Sequence, residues 1–249
     1  MKALILAAGY ATRLYPLTEN TPKPLLEVGR QTILEHILDK LKDVKEISEV
    51  FIVTNHRFYD HFRSFLLQHQ FSKKIKIIDD GTLSNEDRLG AVGDINYVMK
   101  EEDIQEDLMV IAGDNLFGFS LQNFINLFKE KNSSIVAFRD LKNIELVRKR
   151  LGVGVLQGTK VINFEEKPAL PKSSLAATAC YLFHKDDLPL VETLVEQNKA
   201  DNSGDLVRWL VKKSQVHGFI FDEHWFDIGT PEALKEADAI YKKIHGVKK

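Results

Sequence analysis

Cysteine occurs once in the 249 residues, as Cys180. That excludes an internal disulfide framework and most cysteine-based zinc sites, and it suits a reducing, cytoplasmic setting. Long apolar runs are missing: no tract reaches the roughly 18 uninterrupted apolar residues of a membrane span. Met1-Lys2 leads into a short apolar run ending at Ala8-Gly9, without the hydrophobic region and cleavage site of a signal peptide. Charge of one sign is also missing, since 34 Lys and Arg stand against 36 Asp and Glu, a net −2. Nucleic-acid binding through bulk positive charge is thereby excluded, and any phosphate must be met by a few placed cations. The eight histidines show no zinc-ligand spacing, so His56, His61 and His184 default to structural roles. No linker of biased composition and no internal repeat divides the chain. The length predicts one catalytic domain over 1–249, with 1–132 mainly a nucleotide-binding lobe and 133–249 mainly a second lobe and a terminal helix, and nothing appended.

What is present is an alternation of strand-like and helix-like segments. Ala3–Ala7, Val50–Val53, Ile75–Ile78 and Leu108–Ala112 are continuous apolar runs, which suit strands buried on both faces. Ile33, Leu34, Ile37, Leu38 and Leu41 make one apolar helical stripe, Arg57 to Gln70 a second helix, and Leu121, Phe124, Ile125 and Phe128 a third behind a Ser120 cap. Strand, helix, strand in repetition predicts an α/β fold with a Rossmann-like, mixed but mostly parallel sheet flanked by helices. After about Ser133 the pattern turns to strands with few helices between them, which predicts a smaller antiparallel lobe. A last helix from Pro231 to Ile244 is capped by Thr230.

The candidate chemistry sits where strands end. The first strand runs into Ala8-Gly9-Tyr10-Ala11-Thr12-Arg13, and Lys23 follows on the same excursion. A loop of small residues at the carboxyl edge of an open α/β sheet lets backbone N–H groups approach phosphate oxygens, and Arg13 and Lys23 add a planar fork and a compact charge. The loop is neither a Walker A motif nor a G-x-G-x-x-G, because Ala11 occupies the second glycine position. A surface turn with two solvated bases is the plainer alternative. Asp114 follows another buried strand, and Asp227 lies in Trp225-Phe226-Asp227-Ile228-Gly229-Thr230. Two such aspartates suit a hard cation such as Mg²⁺, although a cap and a buried structural Asp are the readings for each alone. Glu165-Glu166-Lys167-Pro168 ends a strand and offers an acid beside a base. The polar stretch from Asp79 through Asp80 to Gly90 and Asp94 is open either to a planar base or to a capped helix start.

In order and spacing these segments resemble the sugar-1-phosphate nucleotidylyltransferases: Leu6-Ala7-Ala8-Gly9, Thr12-Arg13-Leu14, Pro22-Lys23-Pro24, Gly113-Asp114-Asn115, Glu165 to Pro168 and Trp225 to Thr230. The resemblance implies the nucleotide-diphospho-sugar transferase fold, with transfer of a nucleoside monophosphate from a nucleoside triphosphate to a sugar-1-phosphate. It implies Leu6, Ala8, Gly9, Asp80, Gly90 and Asp114 at the nucleotide, and Arg13 and Lys23 as catalytic cations on the phosphates. Mg²⁺ would lie between Asp114 and Asp227, with Gly152, Glu166, Lys167 and Tyr181 at the sugar phosphate. Nucleic acid and membrane are not implied as partners, and a homo-oligomer stays open. Two departures stand out: Gly9-Tyr10-Ala11 replaces the family's Gly-x-Gly, and Ala179-Cys180 replaces a small-Gly pair, which predicts a narrower sugar pocket. Other readings are a cytidylyltransferase acting on phosphocholine or a similar phosphate, a nucleotide-binding subunit without turnover, and a metal-dependent glycosyltransferase. The last would ordinarily carry Asp-x-Asp where this chain has Gly113-Asp114-Asn115.

Overall fold

A computed structural model describes residues 1–197 and 202–246. In chain order its elements begin with β1 (Lys2–Leu6), the ribbon β2 (Glu27–Val28) and β3 (Gln31–Thr32), α1 (Ile33–Leu41), β4 (Glu49–Thr54), α2 (Tyr59–Gln68) and β5 (Lys74–Asp79). Then come α3 (Gly90–Glu101), β6 (Leu108–Ala112), β7 (Asn115–Phe117), α4 (Leu121–Lys131) and β8 (Ser134–Asp140). The second half holds β9 (Gly152–Gln157), β10 (Lys160–Glu166), β11 (Leu175–Phe183), α5 (Pro189–Glu196) and α6 (Ser203–Lys213). The last elements are β12 (Val216–Phe221), β13 (Trp225–Asp227) and α7 (Pro231–Gly246).

Nine strands form one sheet in the order β5-β4-β1-β6-β11-β8-β12-β10-β9. The four apolar runs of the first half pair in parallel, with β1 in register between β4 and β6, and β12 pairs in parallel with β8 in the second half. β11 enters antiparallel between β6 and β8, so the second half joins the same sheet edge to edge. The sheet has a core on each face. One is built from Ile5, Ile52, Ile111 and Leu182 against α1 and α4, the other from Leu4, Val110, Val136 and Tyr181 against α3, α5 and α6. Successive side chains of a strand point to opposite faces, so Leu4 and Ile5 serve different cores, and continuous apolarity is what a sheet covered on both sides needs.

α1 starts on a capping box: Glu35 N–H donates to Thr32 Oγ1 at 3.2 Å while Thr32 N–H donates to Glu35 Oε2 at 2.6 Å. Ser120 caps α4, and the Thr230 hydroxyl accepts from Ala233 N–H at 3.3 Å at the start of α7. The second half differs from the sequence reading, because α5 and α6 stand between β11 and β12, and β12 itself escaped the strand pattern. The stretch from Asp79 resolves as turns leading into α3 at Gly90, whose φ of 76° is in the region that favours glycine. Among the described residues, no helix is long and apolar enough to cross a membrane.

Candidate active site

The β1 loop leaves the sheet late. Ala7 N–H donates to Val53 O at 2.9 Å and Gly113 N–H to Leu6 O at 2.8 Å, which extends the pairing past the strand end. Buried Asn55 donates from Nδ2 to Ala8 O at 2.8 Å and pins the turn. Gly9 fronts open space, with no heavy atom within 4 Å of where a Cβ would stand. Ala11 is left-handed at φ 50°, and its carbonyl accepts from Thr18 Oγ1 at 2.8 Å. The chain thus keeps at Ala11 a conformation that glycine adopts more readily, and a local hydrogen bond helps to hold it.

Lys23 lies on a short 3₁₀ turn, and its Nζ meets Asp114 Oδ2 at 2.5 Å. Asp227 reaches the same place through the β7–β13 ribbon, where it pairs with Asn115, and Ile228 N–H donates to Asp114 O at 3.1 Å. Asp227 is an exposed residue that lines a cleft. Desolvation in the cleft first, and then the Asp114 charge, push its carboxyl up to about 6, while Lys23, Arg13 and Lys167 pull it down. Of the charged residues named from the sequence, Asp114, Lys23, Arg13 and Lys167 thus act on Asp227. Arg13 is exposed on the turn Thr12–Leu14, with its guanidinium beside Gly229: a Cβ there would stand 3.4 Å from Nη2.

Two cavities adjoin here, and the smaller one holds Asp114, Lys167 and Asp227. One of about 220 Å³ is lined by Asp114, Gly152, Glu166, Lys167, Tyr181 and Asp227 from the expected set. The other, about 330 Å³, is lined by Leu6, Ala8, Gly9 and Gly90. Asn202 and Ser203, at the start of α6, line both. Other hollows lie elsewhere, about 440 Å³ between α3 and α5 and about 300 Å³ between α1, β7 and α7, but they hold none of the expected residues.

Glu166 is wedged between two glycines. A Cβ on Gly152 would stand 2.9 Å from its Oε2, and one on Gly204 only 1.9 Å away. Burial raises the Glu166 carboxyl, and Lys167, 3.3 Å away, opposes the rise. Tyr181 is buried and donates to Ser203 Oγ at 2.9 Å. Asn115, which the sequence offered only as part of a motif, is buried and donates from Nδ2 to Thr178 O, while its Oδ1 accepts from Trp225 Nε1 at 3.2 Å.

Some expectations shift. Cys180 does not narrow the smaller cavity: it is buried in the core opposite Ile111, its thiol pushed up by burial, and Ala179 with φ 51° lines the cavity where the β11 pairing is irregular. Asp80 lies outside the cavity lining, and Asp94 reaches it instead. Arg150 and Trp225 also line the smaller cavity, and neither stood out in sequence as a binding residue.

The family model described as Nucleotidyl transferase matches residues 2–244. A relative from Methanocaldococcus jannaschii, the bifunctional protein GlmU, is 30% identical over 96% of this chain and 53% of its own length. The UTP–glucose-1-phosphate uridylyltransferase of a Synechocystis strain is 26% identical over 92% of this chain and 60% of its own. The chain spans about half the length of the curated GlmU relatives it matches. Among solved structures, a provisionally named glucose-1-phosphate thymidylyltransferase from Bacillus anthracis aligns with TM-score 0.85 at 27% identity, over 97% of this chain and 95% of that one.

Proposed function

The chain belongs to the nucleotidyl transferase family, and on that premise we propose that it transfers a nucleoside monophosphate from a nucleoside triphosphate to a sugar-1-phosphate, releasing pyrophosphate. The observation that carries the reading is the convergence of Arg13, Lys23, Lys167 and Asp114 on Asp227, in the wall of the smaller of two cavities that share Asn202 and Ser203. The larger cavity, with its uncovered Gly9 backbone, takes the nucleotide. The smaller, with Glu166, takes the sugar phosphate.

In this reading an oxygen of the sugar phosphate attacks the α-phosphorus in line, the bond to the β-phosphate oxygen breaks, and pyrophosphate leaves. No covalent enzyme intermediate is needed, so the protein contributes positioning and charge. Lys167 steadies the attacking phosphate, Lys23 the α-phosphate, and Arg13 the charge that builds on the leaving group. Glu166 accepts from sugar hydroxyls, and Tyr181 orders Ser203 beneath the junction. Asp114 and Asp227 fit a divalent cation such as Mg²⁺, since two carboxylates converge and the charge of one raises the proton affinity of the other. Among the described residues no set of three or more His, Cys, Asp or Glu gathers as a metal site, so phosphates and water would complete the shell. Such a cation, when bound, supplies further neutralisation of the phosphates.

The test is a matrix of nucleoside triphosphates against sugar-1-phosphates with Mg²⁺, read as pyrophosphate. Release that requires a sugar phosphate supports the transferase, and release at the same rate without one indicates hydrolysis and overturns it.

A further inference from the structure

Two segments line the larger cavity together, the β1 loop with Gly9 and the start of α3 at Gly90. A buried chain of polar groups ties them to each other. Asp94, on the second turn of α3, and Asp80, in the turn after β5, are 6% and 7% exposed. Asp80 Oδ1 accepts from both the backbone N–H and the hydroxyl of Thr82, each at 2.7 Å. The Thr82 hydroxyl already donates its proton there, so the buried Tyr10 hydroxyl, 3.4 Å away, is the donor to Thr82 Oγ1. Tyr10 stands between Gly9 and Ala11 in the β1 loop. The Asp80 turn is also fixed to the end of β4, where Asp80 N–H donates to Thr54 O at 2.9 Å and His56 N–H to Thr82 O at 3.0 Å.

At its α3 end this chain rests on two acids. Asp80 Oδ2 and Asp94 Oδ1 are buried and receive no hydrogen bond from any other group, yet the two side chains are within hydrogen-bonding reach of each other. One proton shared by the pair satisfies both oxygens, whereas two charged carboxylates leave both unmet and repel. Burial and the neighbouring Asp80 charge push Asp94 up to about 8, and no cation acts on it to offset this. Burial raises Asp80 as well, with the Asp79 charge adding to the rise. The other charged and titratable groups around the pair are Asp87 and Arg57, which face Tyr10, and Tyr97 of α3, which faces Asp79 and Asp80. Exposed His56 pairs with Asp79 at 2.6 Å. At neutral pH the pair therefore keeps its proton.

We propose that the Asp80 and Asp94 carboxyls, sharing one proton, are positioning residues for the nucleotide: they hold the start of α3 to the Gly9 loop at the spacing that the triphosphate needs, and loss of the proton lets the two segments part. Neither carboxyl has to touch the ligand. With the proton in place, α3, Asp80, Thr82 and Tyr10 form one hydrogen-bonded unit behind the cavity wall. Without it, a second negative charge stands beside the first where little water screens them, and the pair separates. The inference rests on the reading of the larger cavity as the nucleotide site.

Equilibrium dialysis of the full chain with Mg²⁺ first ranks ATP, GTP, CTP, UTP and dTTP at pH 7, and the tightest is then followed from pH 7 to pH 9. Binding by the protonated pair alone, with Asp94 raised to about 8, makes the dissociation constant rise about tenfold over that range. Calorimetry in buffers of different ionisation heat shows proton uptake on binding at pH 8.5. Asp94→Asn keeps a donor toward Asp80 but cannot ionise, so its dissociation constant stays flat with pH in a protein whose melting curve shows it folded. Tyr10→Phe cuts the chain without touching either acid and weakens binding at pH 7. A wild-type constant that ignores pH, binding at pH 8.5 without proton uptake, the full alkaline loss persisting in Asp94→Asn, or an unchanged constant in Tyr10→Phe overturns the inference. The two wild-type measurements decide the matter if the variants do not fold. Binding that ignores pH overturns this inference alone, whereas failure of every triphosphate to bind at pH 7 overturns the nucleotide reading with it.

Discussion

Gly204→Ala separates the proposed acceptor site from the stability of the fold. The new methyl would stand 1.9 Å from Glu166 Oε2 and 2.6 Å from its Cδ, so something must move. Both atoms end a flexible side chain, whereas the methyl is fixed to α6, and the carboxylate gives way. An off-rotamer glutamate costs roughly 0.5–1.5 kcal/mol, and alanine in place of a helical glycine returns up to about 1 kcal/mol. The net change in stability is therefore within about 1 kcal/mol of zero. The acceptor loses a charged hydrogen bond worth about 1.5–3 kcal/mol, which is roughly 10- to 150-fold in kcat/KM for the sugar phosphate. Gly154→Ala is the contrast, because its methyl would stand 2.5 Å from Cε1 and Cζ of Phe138, a ring with 0% exposure that has nowhere to go. Overpacking there costs about 1–3 kcal/mol of stability. Urea unfolding and pyrophosphate kinetics at varied acceptor and varied triphosphate read both variants. If Gly204→Ala keeps its acceptor kcat/KM, or loses more stability than Gly154→Ala, the placement of Glu166 on the acceptor is refuted.

Further outcomes follow from the same geometry. Asp227→Asn keeps the shape and deletes a charge, so the rate of pyrophosphate release falls on the order of 10²–10³-fold; an unchanged rate excludes Asp227 from the mechanism. The Asp227 carboxyl is raised to about 6, so protons compete with a cation as pH falls through that value. The Mg²⁺ concentration for half-maximal activity should rise between pH 7.5 and 5.5, and a flat profile would contradict this. Asp94, raised to about 8, takes up a proton on folding, so its contribution to stability is greatest below its unfolded value and is lost as pH rises toward 8. Asp94→Asn should accordingly raise the melting temperature more at pH 8.5 than at pH 6. Tyr181→Phe removes the 2.9 Å bond to Ser203, a loss of about 1 kcal/mol in chemical denaturation.

The parallel half of the sheet was legible because burial on both faces makes β1, β4, β5 and β6 continuous apolar runs, and strand ends in such a sheet point to where ligands bind. Arg13, Lys23, Asp114 and Asp227 were singled out as candidates through that rule together with the spacing of the motifs. The start of α3 stayed open between a base-reading stretch and a capped helix for a physical reason: it opens on Gly90, has Gly93 a turn later, and carries the buried Asp94 among its apolar positions. α6 does show the helical stripe Leu206, Val207, Leu210, but it lay among strand-like runs and was overlooked. Asp94, Arg150 and Ser203 gain meaning only from what the fold packs against them, and no local pattern carries that. The Ala179-Cys180 expectation erred because a pairing irregularity in β11 decides which of the two residues faces the cavity.

The β7–β13 ribbon has a consequence for how the protein is made. It joins Asp114 in the first half of the chain to Asp227 near its end, through a pairing only three residues long. A nascent chain can assemble the parallel strands and the Gly9 loop early, since domains form progressively during synthesis. Until the last strand emerges, Asp114 faces Lys23 alone. Under the proposed function, chemistry thus waits until β13 has paired with β7.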